Sequence, residues 1–184
     1  MKSKDRKRHL NNGGFSLLEL IVVIAIMVVL VGAVFASTSI IDGSYVKDAE
    51  RGVKDYVATG RTKSMSIAAK EWYVTIVKEG DTYFARLNKT EEVEGSITEV
   101  LIDERELGSK ITITFGKDHP TEVTSANELK MYFNSSTGKV NRLTINDADQ
   151  DISEGIGYMG ISSGTYDITM KIFYNTGKCE REYS

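Results

Sequence analysis

The sequence predicts an α+β chain: a long N-terminal helix whose second half packs on an antiparallel, β-rich C-terminal head. Three observations predict it. Phe15 to Ile41 is an apolar run with one charge, Glu19; Tyr45 to Ala68 repeats apolar residues at three and four; and after Lys70 come short β-branched and aromatic runs bounded by glycine. The 184 residues are 41% apolar and 27% charged, values of an ordinary globular domain that exclude collagen-like, low-complexity and wholly disordered classes. One cysteine, Cys179, cannot close an intramolecular disulfide, and His9 and His119 leave too few ligands for a zinc finger. With Pro120 the only proline and 16 glycines, turns must be made by Gly, Asn, Asp and Ser.

The first element is a basic leader, residues 1–14. Five cations and one acid leave it at +4, so the rest carries −7 of the overall −3. A basic head before an apolar run keeps the N-terminus cytoplasmic while the following helix inserts. Residues 15–41 form the second element. As a helix, 27 residues reach roughly 40 Å, enough for a hydrocarbon core of about 30 Å. A buried core helix would show water a polar stripe, and FSLLELIVVIAIMVVLVGAVFA has none. A conventional secretory signal is the competing reading, and its apolar region of about 7–15 residues would be shorter than this one.

Glu19 makes the span specific. A carboxylate in lipid costs up to about 3 kcal/mol at the bilayer centre, relieved in part by the positive end of the helix dipole and far more by a cation. Cutting between Gly14 and Phe15 would supply one: a new α-amino group has a reference pKa of about 7.7–8.0 and is mostly charged at neutral pH. The amine of Phe15 could then pair with Glu19 of a neighbouring copy.

Gly13-Gly14-Phe15-Ser16-Leu17-Leu18-Glu19-Leu20-Ile21-Val22-Val23-Ile24 resembles the class III signal of type IV prepilins and of type II secretion and competence pseudopilins. The resemblance covers roughly residues 8–40. It implies cleavage after Gly14 by a prepilin peptidase, methylation of the Phe15 amine, and a role for Glu19 in docking subunits during assembly. Many such proteins carry a proline inside the apolar helix, and this one has only Gly32 and Ala33 near its far end. Gly32 is then the candidate for loosening, or merely a point where another helix approaches closely.

Residues 42–70 continue the helix into water. Tyr45, Ala49, Val53, Tyr56, Val57, Gly60, Ser64, Ile67 and Ala68 make one stripe, with Lys47, Asp48, Glu50, Arg51, Lys54 and Asp55 on other faces. Glu50 and Lys54 have the favourable i, i+4 order, while Gly52 and Gly60 weaken the helix locally. One helix is expected from about Phe15 to Ala69, its second half lying on a sheet.

The head is 71–184. Trp72 to Val77, Thr82 to Leu87, Ile111 to Phe115, Leu129 to Phe133, Val140 to Ile145 and Thr165 to Tyr174 read as antiparallel strands, the last with Tyr166, Ile168, Met170, Ile172 and Tyr174 on a buried face. Lys78-Glu79-Gly80-Asp81 closes a first hairpin and Asn134-Ser135-Ser136-Thr137-Gly138 a later one. A late Gly-closed hairpin and a last strand ending Asn175-Thr176-Gly177-Lys178 resemble minor pseudopilins of the H type and minor type IV pilins.

Other motifs carry less. Gly155-Ile156-Gly157-Tyr158-Met159-Gly160 fits GxGxxG without the flanking strand and helix of a dinucleotide site, and Gly160-Ile161-Ser162-Ser163-Gly164 fits GxSxG without a later histidine. Both are expected to be glycine-rich turn. Asn88-Lys89-Thr90 and Asn134-Ser135-Ser136 match the glycosylation sequon, which has little meaning in the bacterial setting the signal implies. Asp147, Asp149 and Asp151 could gather oxygens around Ca²⁺ or simply form a solvated turn; an EF-hand is excluded because Ile152 stands where Gly is needed and Tyr158 where Glu is needed. Glu91, Glu92 and Glu94 read as an exposed loop. No basic face with interleaved aromatics predicts nucleic-acid binding.

The expected function is that of a structural subunit, minor in abundance, of a type IV pilus or a secretion or competence pseudopilus. The alternative is a scarce tip subunit or adhesin of the same filament whose head binds a substrate or surface. An enzyme is not expected, and neither is a cofactor beyond Ca²⁺. The implied partners are prepilin peptidase, other pilin or pseudopilin subunits and an inner-membrane assembly platform. The implied location is the cell membrane, single-pass with the head outside, and after assembly a surface or periplasmic filament.

Overall fold

A computed structural model describes residues 16–67, 71–93 and 95–182, leaving out the side chains of 34–40 and 93. Its elements are α1 (Leu17–Ser66), β1 (Trp72–Glu79), β2 (Thr82–Val93), β3 (Ser96–Gly108), β4 (Thr112–Phe115), β5 (Thr121–Glu122), β6 (Leu129–Phe133), β7 (Val140–Ile145), β8 (Ala148–Asp149), β9 (Ile156–Ser163), β10 (Tyr166–Phe173) and β11 (Lys178–Arg181). The expected α+β class is therefore present: a helix followed by antiparallel strands. Contacts divide the chain into Met1–Thr38 and Ser39–Ser184.

In the first unit, side chains from Leu17 to Val31 are exposed, the large apolar ones by 39–78%. Among the described residues no helix is long and apolar enough to cross a membrane. The described side chains of the apolar run reach from 17 to 33, and the spanning reading of 15–41 also needs Phe15 and 34–40, whose side chains lie outside them.

In the second unit two antiparallel sheets are present among the described residues. One has the order β3-β2-β1-β6-β7-β8 and the other β11-β10-β9-β4-β5. Tight turns built by glycine set the hairpin registers. Gly80 at φ 59° joins β1 to β2 with Glu79 opposite Thr82, and Gly164 at φ 54° joins β9 to β10. Asn134 caps the β6–β7 turn, its Oδ1 accepting from the amides of Ser136 and Thr137 at 3.0 Å. The sheets are tied where the Val140 amide donates to the Tyr174 carbonyl at 2.8 Å.

Val46, Ala49, Val53, Tyr56 and Val57 of α1 enter one buried cluster with Val74, Ile76, Leu129, Met131 and Leu143 of the first sheet and Ile113, Met159, Ile161, Met170 and Ile172 of the second. Of the stripe read from the sequence, Ala49, Val53, Tyr56, Val57, Gly60 and Ser64 lie on the buried face; Val46 and Glu50, read outside it, are buried as well, and Ile67 is exposed. Gly52 and Gly60 sit where strands press on α1: a Cβ at Gly60 would meet Val74 Cγ2 at 2.6 Å and Phe133 Cε2 at 3.1 Å, and one at Gly52 would meet Leu107 Cδ2. Ser64 Oγ donates to the Phe133 carbonyl at 2.8 Å.

The structure corrects several expectations. Residues 96–108, read as no element, form the thirteen-residue strand β3. Its alternation serves no buried face along most of its length, so the signal that finds half-buried strands is missing. Glu91 and Glu92 lie in β2, paired with Thr98 and Ile97, and not in a loop. Residues 156–163, expected as turn, form β9, whose glycines admit neighbours: Gly157 faces the Tyr174 hydroxyl and Phe115, and Gly160 the Thr114 hydroxyl. Asn175 to Gly177 is a turn leading to β11. The helix ends at Ser66, and Ala68 to Lys70 lie outside the described residues.

Candidate functional site: the start of the apolar helix

The segment with the strongest chemistry is the N-terminal end of α1. Ser16 is its N-cap: its carbonyl accepts from the Leu20 amide at 3.1 Å, and its Oγ accepts from the Glu19 amide at 3.1 Å. Ser-x-x-Glu in this position is the sequence of a capping box, with the Glu at the third helical position, and its serine half is formed here, the hydroxyl taking up an otherwise free amide of the first turn. The sequence reading missed this role of Ser16, although Ser16 and Glu19 show the spacing. Glu19 is exposed in the first turn, where the helix dipole favours a negative charge, and its neighbours Leu17, Leu18, Leu20 and Ile21 are exposed too. A carboxylate thus stands at the head of a fully apolar rod. Gly14 and Phe15, the expected cleavage and methylation positions, lie outside the described residues.

Residues 10–35 match the prokaryotic N-terminal methylation motif. The chain carries this methylation motif. It is the motif of a class III signal peptide and is consistent with the type IV pilin and pseudopilin family. No curated protein and no solved structure matches the chain. The methylation motif implies processing by prepilin peptidase, assembly with other pilin-like subunits and a membrane-anchored state before the filament. It ends near the boundary of the first structural unit, so the head is read from its own geometry.

The acidic loop is placed by the β7–β8 hairpin. Asn146 and Asp147, at φ 51° and 56°, make its two-residue turn, the left-handed pair that such a hairpin needs. Asp147 Oδ1 accepts from Lys130 Nζ at 3.2 Å, Asp149 lies in β8 opposite Thr144, and Asp151 Oδ1 accepts from the Ser153 amide at 2.8 Å. That amide bond, with the Ser153 side chain, holds the Asp151 carboxyl below the usual range. Asp147 and Asp151 are thus engaged by protein groups, and among the described residues no group of three or more His, Cys, Asp and Glu is gathered for a metal ion.

Neither glycine motif forms a catalytic turn. Gly157, Gly160 and Ser162 lie within β9, Ser162 opposite Thr112 and Asp167, so no backbone loop is free to cradle a phosphate and Ser162 has no elbow to stand on. Cys179 is half-buried against the core, and desolvation pushes its thiol up to about 12 against the opposing charge of Lys54, far from the thiolate that reactivity requires.

Proposed function

We propose that this chain is a minor subunit of a type IV pilus or of a type II secretion or competence pseudopilus. It is made as a precursor with its N-terminus in the cytoplasm, cut between Gly14 and Phe15, methylated on the Phe15 amine, and drawn from the membrane by an assembly platform into a filament through α1. The observation that carries this reading is the methylation motif running into a capped helix with Glu19 in its first turn and apolar side chains exposed on every side from Leu17 to Val31. Such a surface is stable only in lipid or among other apolar helices. The buried cluster of the second unit supports a head that remains folded outside the membrane.

The test is processing and incorporation. N-terminal sequencing of the mature protein is expected to start at Phe15, and Gly14→Glu to leave an inserted precursor with its leader. Glu19→Ala is expected to insert and be cleaved while its share in purified filaments falls, because the neighbour's amine loses a partner worth about 2 kcal/mol. A mature terminus among Phe35 to Ser39 would overturn the reading. Scarcity in filaments would agree with a minor or tip subunit, and dominance with a major one.

A further inference from the structure

In the described part of the head beyond α1, the exposed large apolar side chains gather on one strand: Ile97 at 80%, Leu101 at 52% and Ile102 at 42%, all in β3. β3 is the outer strand of the six-stranded sheet, so its backbone groups directed away from β2 have no strand beside them among the described residues. An exposed edge with apolar side chains is a template for another strand. Ile97, Glu99 and Leu101 pair with Glu92, Thr90 and Asn88, so the three share one face. It is the face turned from α1, since Asn88 Nδ2 donates to Thr75 Oγ1 at 2.9 Å and the Tyr73 hydroxyl bonds the Glu99 carboxylate there. The irregularity between Leu87 and Asn88 leaves Ile102 unpaired, and past it Arg105 and Leu107 turn toward α1. The usable edge is therefore Ser96 to Leu101, about 20 Å.

Charge selects the occupant. Beside β3, Arg86 is shared by Glu79 at 2.8 Å and Glu104 at 2.5 Å, and Lys130 by Glu128 at 2.8 Å, Asp147 at 3.2 Å and Glu99 at 3.9 Å. Two cations face five carboxylates, and the excess is negative. A second copy brings Glu99 no cation: in every antiparallel self-pairing of β3 centred within Ser96 to Leu101 the residue opposite Glu99 is uncharged or acidic. Like charges directly opposite are destabilising.

We propose that β3 docks an extended strand of a partner protein with the pattern apolar-x-basic-x-apolar, its apolar residues against Ile97 and Leu101 and its cation against Glu99. Backbone hydrogen bonds along the edge hold the strand, and the three side-chain positions select it. Because the pattern is symmetric about Glu99, it suits either strand direction. The inference goes beyond the filament reading and needs neither cleavage nor assembly.

The probe is the peptide Thr-Lys-Val-Thr-Lys-Thr-Val-Lys-Thr, titrated against the full-length chain in detergent micelles by fluorescence anisotropy, with amide hydrogen exchange as the map. Saturable binding is expected, with exchange slowed over 96–101. Ile97→Lys and Leu101→Lys, both at exposed positions, are expected to weaken it by about tenfold or more with an unchanged circular dichroism spectrum, as is a peptide with Glu in place of each Lys. No binding, equal affinity for the acidic peptide or for both variants, or protection mapped elsewhere would overturn the proposal. So would β3 protection in the peptide-free chain that rises with its concentration, since a second copy would then be the occupant.

Discussion

At Gly60 two opposing effects can be weighed. Replacing a helical glycine by alanine gains about 1 kcal/mol of helix propensity, but the new Cβ would lie 2.6 Å from Val74 Cγ2 and 3.1 Å from Phe133 Cε2, both on buried side chains that cannot swing away. Overpacking of this kind costs about 1–3 kcal/mol. Gly60→Ala is therefore expected to lower stability by about 1 kcal/mol, while Gly43→Ala, where Tyr166 gives only ordinary contact at 3.5 Å, should be neutral or stabilising. Chemical denaturation of the two variants checks the contrast, and a stabilised Gly60→Ala would refute the packing account. Gly177 is held more tightly: its φ is 62° and a Cβ would collide with the Gly138 carbonyl, so only glycine joins β10 to β11 in this way.

The first sheet supplies a titrating element. Tyr73 and Tyr132 stack with ring centroids 4.7 Å apart, and burial raises both hydroxyls, Tyr73 further through the Glu99 carboxylate. Burial also pushes Tyr56 and Tyr174 up to about 12, the former helped by Asp103 and the latter by the charges of Glu154 and Asp151. For Lys130, burial pulls the ammonium down, but the hydrogen bonds to Glu128 and Asp147 outweigh it and the net shift is upward. In every case the folded pKa exceeds the unfolded one, about 10 for tyrosine and 10.4 for lysine. The folded state then keeps protons that the unfolded chain releases, so this stability is whole below pH 10 and is lost as pH rises through the folded values. Each group adds a slope of up to about 1.4 kcal/mol per pH unit. Thermal melts should show a midpoint falling steeply above pH 10, less so in Tyr73→Phe. A midpoint flat to pH 12 would contradict the assignment.

On the scale of the whole molecule, the core is complete without the N-terminal segment. Every member of the buried cluster lies between Val46 and Tyr174. A chain starting at Asp42 is expected to be soluble and to melt cooperatively by circular dichroism, with strand content retained; an unfolded product would show that the head depends on the apolar segment. Leu143→Ala in that chain removes a fully buried side chain and is expected to cost about 2–5 kcal/mol, read from its denaturation midpoint.

The methylation motif, the apolar run and the amphipathic half of α1 were legible in the sequence because local chemistry fixes each: a Gly-Phe junction, an uninterrupted apolar stretch, and a three-and-four repeat that has one face to bury. Strands β1, β4, β6, β7 and β10 and the first half of β2 were legible for the same reason, their apolar residues being bounded by turn-forming glycine and asparagine. Tertiary structure alone decided the rest. β3 shows no alternation because little covers it, and its exposure is set by its place at the end of the strand order. Gly157 and Gly160 read as turn until Tyr174 and Thr114 take up the room above them. Lys130 was brought to Asp147 by the pairing of β6 with β7, a contact that no local pattern encodes.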